Sequence, residues 1–137
     1  MDDKMDEATE IFSSFSVQMK CWNDKFYLPM KESAVAVSKQ AVAELAPIFG
    51  QYVWPDAVRS EERLNNPSTS QPSDYDPDID TIENREISKS KILLHVQKNT
   101  GFRNKFRYTI VKRKNEWKLL RRDVFNDLSG KWKSHHI

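Results

Sequence analysis

Apolar residues recur at three- and four-residue steps near the start of the chain: Ala8, Ile11, Phe12, Phe15, Met19, Trp22 and Phe26. That spacing places them on one stripe of a helix, with Glu7, Glu10, Gln18 and Lys25 turned away. The acidic opening residues suit the positive end of the helix dipole, and Pro29 predicts where this helix stops. A second run, from Lys31 to Gly50, carries Ala34, Val37, Ala41, Leu45, Ile48 and Phe49 on its apolar face. Its alanines favour helix, Pro47 tightens the last turn, and Gly50 is the expected stop. Two amphipathic helices joined at a proline predict a helical hairpin.

The period then changes from near four to two. Phe106, Tyr108 and Ile110 fall on one face and Arg107, Thr109 and Val111 on the other, as a half-buried antiparallel strand requires. Lys114 and Asn115 make a short polar break, after which Trp117 and Leu119 resume the alternation. Upstream, 79–87 reads as a weak strand and Ile92, Leu93, Leu94 and Val96 as a strong one. With 102–113 and 117–125 they predict a four-stranded meander, and Leu128 and Trp132 are expected to cover an edge. Between helices and strands, residues 51–78 hold four of the six prolines and a Ser/Asn/Thr cluster. They read as loop with a helical turn near 56–64, and a connection this long is mobile or functional.

The resulting fold class is α+β, with N-terminal helices packed on one face of an antiparallel sheet. A length of 137 residues suits a single domain over 1–137: helical 4–50, loop 51–78, sheet 79–125, tail 126–137. No run of eighteen apolar residues marks a membrane span. The first residues are acidic where a secretory leader is basic, and Cys21 is the only cysteine. Both point to a cytoplasmic protein. Charge is strongly polarised: residues 1–88 carry 8 Lys/Arg against 17 Asp/Glu, and residues 89–137 carry 14 against 3. The simplest reading is that acidic helices and a basic sheet neutralise one another within the fold.

Little in the chain suggests catalysis. Three glycines leave no phosphate-binding loop, and no metal-ligand spacing occurs. His135 and His136 read as a disordered tail, His95 as a surface residue, and Cys21, beside Trp22, as a packing residue. Asp74, Asp76, Asp78 and Asp80 alternate as in a calcium loop, but the glycine such a loop needs is missing. No metal and no cofactor are expected. With Tyr75 and Trp54, these aspartates are the candidate partner-binding surface, because long loops carry binding and a negative patch meets a basic partner. The basic strands, with Arg103, Lys105, Arg107, Arg113, Lys118, Arg121 and Arg122 beside Phe102, Tyr108 and Trp117, suggest nucleic acid less strongly. Their cations and aromatics mostly alternate onto opposite faces.

The segments YDPDIDTIE, KSKILLHVQKNTGF and NKFRYTIVKRKNEWKL, followed by a late KWK, resemble bacterial immunity proteins with a nuclear-transport-factor-2-like fold. The likeness is densest over residues 74–133, through Tyr75-Asp76-Pro77, Asn99-Thr100-Gly101-Phe102, Arg107-Tyr108-Thr109 and Glu116-Trp117-Lys118, and extends to Trp22, Phe26 and Tyr27 near the start. It implies a cone-shaped domain whose curved sheet wraps the helices. The implied role is to bind and neutralise, without chemistry, a cognate toxin domain encoded by the adjacent gene of a polymorphic toxin system. Leu119-Leu120 departs from the Ile-Asp often found there. The same cone hosts ketosteroid-isomerase-like enzymes and small-molecule-binding proteins, for which Asp123 with Tyr108 is the one pair available. Arg121, read on the same strand face, would hold Asp123 ionised and so suits a salt bridge better than a base. Exposed sheet edges leave a homodimer open.

Overall fold

The computed structural model describes residues 6–137. The acidic residues 2 and 3 and the expected helix start at residue 4 lie outside that range. Helix α1 spans Glu7–Tyr52 and is broken at Ser33, whose backbone is extended (φ −161°, ψ 99°). The chain reverses there. Trp22 Nε1 donates to the Ala41 carbonyl (2.9 Å), and Lys25 pairs with Glu44 (2.6 Å), tying the arm before the break to the arm after it.

The hairpin is therefore as expected, but its corner is Ser33 and not Pro29, which sits inside the first arm. A proline removes one backbone donor without forcing a reversal. Ser33 supplies what a new helix start needs, since its Oγ accepts from the Ala36 N–H (3.3 Å). At the other N-terminus, Asp6 accepts from the Thr9 N–H (2.8 Å) in the same way. Replacing Ser33 by alanine is expected to lower the unfolding free energy by about 1 kcal/mol, with Ser33→Asp near wild type, in urea melts. The second arm runs past Gly50 to Tyr52, whose buried ring packs on Phe15.

A short helix α2 (Ser60–Asn65) follows, then five strands: β1 Thr81–Ile87, β2 Lys91–Gln97, β3 Lys105–Arg113, β4 Glu116–Asn126 and β5 Lys131–His135. They form one antiparallel meander in the order β1-β2-β3-β4-β5. Lys114 and Asn115 both have positive φ (50° and 68°), as a two-residue type I′ hairpin demands.

Five strands, and not four, result because the expected tail folds back. Asn126 Oδ1 accepts from the Leu128 and Ser129 N–H groups (2.9 and 3.1 Å), and Gly130 takes a φ of 68°. That turn returns Lys131–His135 along β4, so His135 and His136 are ordered parts of the fold and Trp132 is a strand residue. Phe102, expected in β3, lies instead in the β2–β3 turn and is 95% exposed.

The core joins Ala8, Phe12, Phe15, Met19, Trp22 and Phe26 of the first arm to Ala41, Leu45 and Phe49 of the second. Against them pack Ile92, Leu94, Val96, Phe106, Tyr108, Ile110 and Leu119 of the sheet. Cys21, beside Trp22, is exposed and takes no part, because it lies one residue off the buried stripe.

Candidate functional site

The face of the sheet that packs against the helices is occupied by the chain's own side chains. At its centre is Arg122, 0% exposed. It donates to Asp74 Oδ2 (3.0 Å), to the His136 carbonyl (2.9 Å) and to Tyr108 Oη (3.3 Å). Its guanidinium also lies 4.4 Å from the Phe106 ring centre and 5.3 Å from that of Tyr75. Tyr75 in turn donates to an Ile137 oxygen (2.8 Å), and Ile137 is buried. Planar stacking and several directed donors make arginine the cation suited to such a place.

Electrostatics follow from this centre. Burial alone would raise the Asp74 pKa, but the charge and hydrogen bond of Arg122 lower it to about 2. His136 is held down to about 4, first by burial and then by Arg122. Burial pushes Tyr108 up to about 12 and Tyr75 well above the ordinary phenol value. Neither phenol is an acid at neutral pH.

The isomerase-like pair is not assembled. Between Leu119 and Arg121 the β3–β4 register slips, so Ile110 faces Leu119 whereas Thr109 faces Arg121. Leu120 is the extra residue of a β-bulge, and beyond it every side chain changes face. Arg122, and not Asp123, therefore stands opposite Tyr108. Asp123 points to the outer face, where it pairs with Arg107 (3.3 Å) and Arg121 (2.8 Å). The doublets Leu119-Leu120 and Arg121-Arg122 break the alternation and are the sequence mark of that bulge.

The loop residues singled out from sequence do not form one surface. Tyr75 is 2% and Asp76 7% exposed. Asp74 is committed to Arg122, and Asp80 to Lys98 (2.6 Å), whose ammonium also reaches the Asp74 carbonyl (2.8 Å). Asp78 alone of the four aspartates is exposed. Trp54 is half-buried on the outer side of the sheet: its indole N–H donates to the Val111 carbonyl (2.9 Å), and Arg113 and Lys118 lie 5.0 and 5.1 Å from its ring centre. Charge neutralisation within the fold thus comes mainly from the loop and β1, through Asp74, Asp80, Asp56 and Glu83, and hardly from the helices.

The open faces carry three features. Trp132, Phe125, His95 and Arg107 cluster on the outer side of the sheet, with Arg107 4.6 Å from the Trp132 ring centre. Phe102 and Leu128 project, 95% and 100% exposed, from the β2–β3 and β4–β5 turns at one end of the sheet. The opposite end, with the β1–β2 and β3–β4 turns, is rich in lysine. A surface groove of about 430 Å³ lies between the helix arms beside Cys21, Trp22 and Pro47. Among the described residues no three potential metal-ligating side chains gather, and no helix is long and apolar enough to cross a membrane.

Comparison with known proteins agrees with this architecture. The family profile described as NTF2 fold immunity protein matches residues 7–136. The chain belongs to the NTF2 fold immunity protein family. It is also 27% identical over 135 residues to Immunity protein RhsIA of Dickeya dadantii (strain 3937), covering 98% of each chain. No solved structure matches.

Proposed function

We propose that this immunity protein acts by stoichiometric binding: it captures a cognate bacterial toxin domain and obstructs its active site or its substrate's access, with no chemistry of its own. The observation that supports this most is the buried Arg122 centre on the inner face of the sheet. Arg122, Asp74, Tyr75 and Tyr108 are bound to one another on the inner face, which supports a structural use of these groups over a catalytic one. Asp123, next to Arg122 on β4, is held by two arginines on the other face. Family membership and the near-complete match to Immunity protein RhsIA support the same reading.

The proposal places the protein in the cytoplasm of the cell it protects, as part of a polymorphic toxin system used in bacterial competition, with its toxin encoded by the adjacent gene. Of the loop surface read from sequence, Trp54 and Asp78 remain available for contact. Asp74, Asp76, Asp80 and Tyr75 hold the loop in place.

The test is co-expression in bacteria of the C-terminal domain of the neighbouring gene's product, with and without this chain, followed by affinity capture. Growth restored only by this chain, together with a one-to-one complex, is the expected result. Growth unaffected by the chain, with no complex, would remove the reading and leave the fold intact.

A further inference from the structure

We infer that the lysine-rich end of the sheet, formed by the β1–β2 and β3–β4 turns, docks on an acidic face of the toxin domain; this rests on the reading of the chain as a toxin-binding protein. The two turns are neighbours, since the Lys112 N–H donates to the Ser90 carbonyl (2.8 Å). Lys89, Lys91, Lys112, Arg113, Lys114 and Lys118 converge there. Among the described residues two carboxylates pair with them, Asp56 with Arg113 (2.8 Å) and Glu116 with Lys118 (3.6 Å), and Glu7 and Glu10 line the groove beside Lys118 without an ion pair to it. Among the described residues, Lys89, Lys91, Lys112 and Lys114 enter no ion pair, and all but the half-buried Lys112 are exposed.

Part of the basic half is neutralised more closely, although Arg103, Lys131 and Lys133 are also outside any ion pair among the described residues and Lys105 lies 3.9 Å from Glu83. Lys98, Arg107, Arg121 and Arg122 are each held by a carboxylate within 3.3 Å. Like charges gathered without counter-charges repel one another and weaken a fold, and an opposing acidic surface relieves that repulsion while steering encounter. Beside the lysines stands Trp54, the residue type that most often anchors an interface. A protein partner is favoured over nucleic acid by how that ring is used. Its N–H is already bonded, and its faces carry Arg113 and Lys118 in place of a stacked base.

The experiment compares wild type, a Lys89→Glu/Lys91→Glu/Lys114→Glu triple variant, and Asp78→Lys for binding to the purified toxin domain at low and high salt. All four positions are exposed, so each variant should melt like wild type. The triple variant is expected to bind about a hundredfold more weakly at low salt, chiefly through slower association, and Asp78→Lys is expected to bind as wild type does. Undiminished binding by the triple variant, with loss in Asp78→Lys, would overturn the inference and return the contact to the acidic loop. Two further readouts would also overturn it, if toxin affinity stays unchanged in the triple variant: lost retention of a DNA duplex would reassign the end to nucleic acid, and conversion of a dimer to a monomer would reassign it to a second copy of the chain. Absence of any wild-type complex would overturn the binding reading itself.

Discussion

Truncating Asp74 to alanine is expected to lower the free energy of unfolding by about 3–5 kcal/mol, the range found when one partner of a buried ion pair is removed. Arg122 keeps its charge, because guanidinium does not deprotonate in proteins, and it is fully enclosed with Asp74 as its carboxylate partner. The carbonyl of His136 and the hydroxyl of Tyr108 remain as dipoles, but they cannot neutralise it. Replacing both residues, as Asp74→Ala/Arg122→Met, should recover much of the loss, since an apolar pair of similar volume needs no counter-charge. Urea unfolding of wild type and the two variants checks this, and equal losses in the single and double variants would count against it.

Acid should act on the same centre in two stages. His136 is held down to about 4 by burial and Arg122, so it stays neutral in the fold while the unfolded chain, near 6.5, takes up a proton. Stability conferred by the neutral form is complete above about pH 6.5 and falls as the pH drops toward 4. His135, also lowered by burial first and Arg122 second, adds in the same direction. Below that, Asp74 takes over: its carboxylate, lowered from 3.8 to about 2, gives stability that is whole above about pH 4 and lost on the way to 2. That second stage is worth at most about 2 kcal/mol. A melting-temperature profile against pH should show both stages in wild type and a smaller lower stage in Asp74→Ala, where other lowered carboxylates such as Asp6 still contribute.

The second large effect is expected at Phe15. Its ring is fully buried and meets Phe49 (6.1 Å between centres), Tyr52 (5.9 Å) and Tyr75 (5.2 Å). One side chain thereby joins both arms of the helical hairpin and the long loop. Phe15→Ala should cost about 3–5 kcal/mol, from lost burial and from the cavity that three large rings cannot close. Leu28→Ala and Val35→Ala, at positions 65% and 91% exposed, should change stability by no more than about 0.5 kcal/mol.

What could be read from the sequence was local. The stripe from Ala8 to Phe26 needs only helical periodicity, and all its members except the half-buried Ile11 are buried. The alternation through Phe106, Tyr108 and Ile110 and the Lys114-Asn115 turn are equally self-contained, and they gave the antiparallel hairpin correctly. Proline masked the Ser33 cap: Pro29 is the stronger local signal for a break, yet the helix runs through it. The fifth strand was hidden in a polar stretch, where Asn126 and Gly130 make the turn and only Trp132 marks the strand. The pairings of the acidic loop were hidden for another reason. Asp74 finds Arg122 48 residues away, and Asp80 finds Lys98 18 residues away, and no local pattern announces such pairings. The bulge at Leu120 then put Arg122 in the interior and Asp123 outside, which strict alternation reverses.

The most direct test of the central claim is a titration of purified toxin domain with this chain, following residual toxin activity against molar ratio. Stoichiometric binding predicts a linear fall that reaches zero at one chain per toxin, with active toxin recovered when the complex is dissociated. Complete inactivation far below one chain per toxin, or toxin that remains inactive after separation, would mean that the chain modifies its target, and would contradict the account.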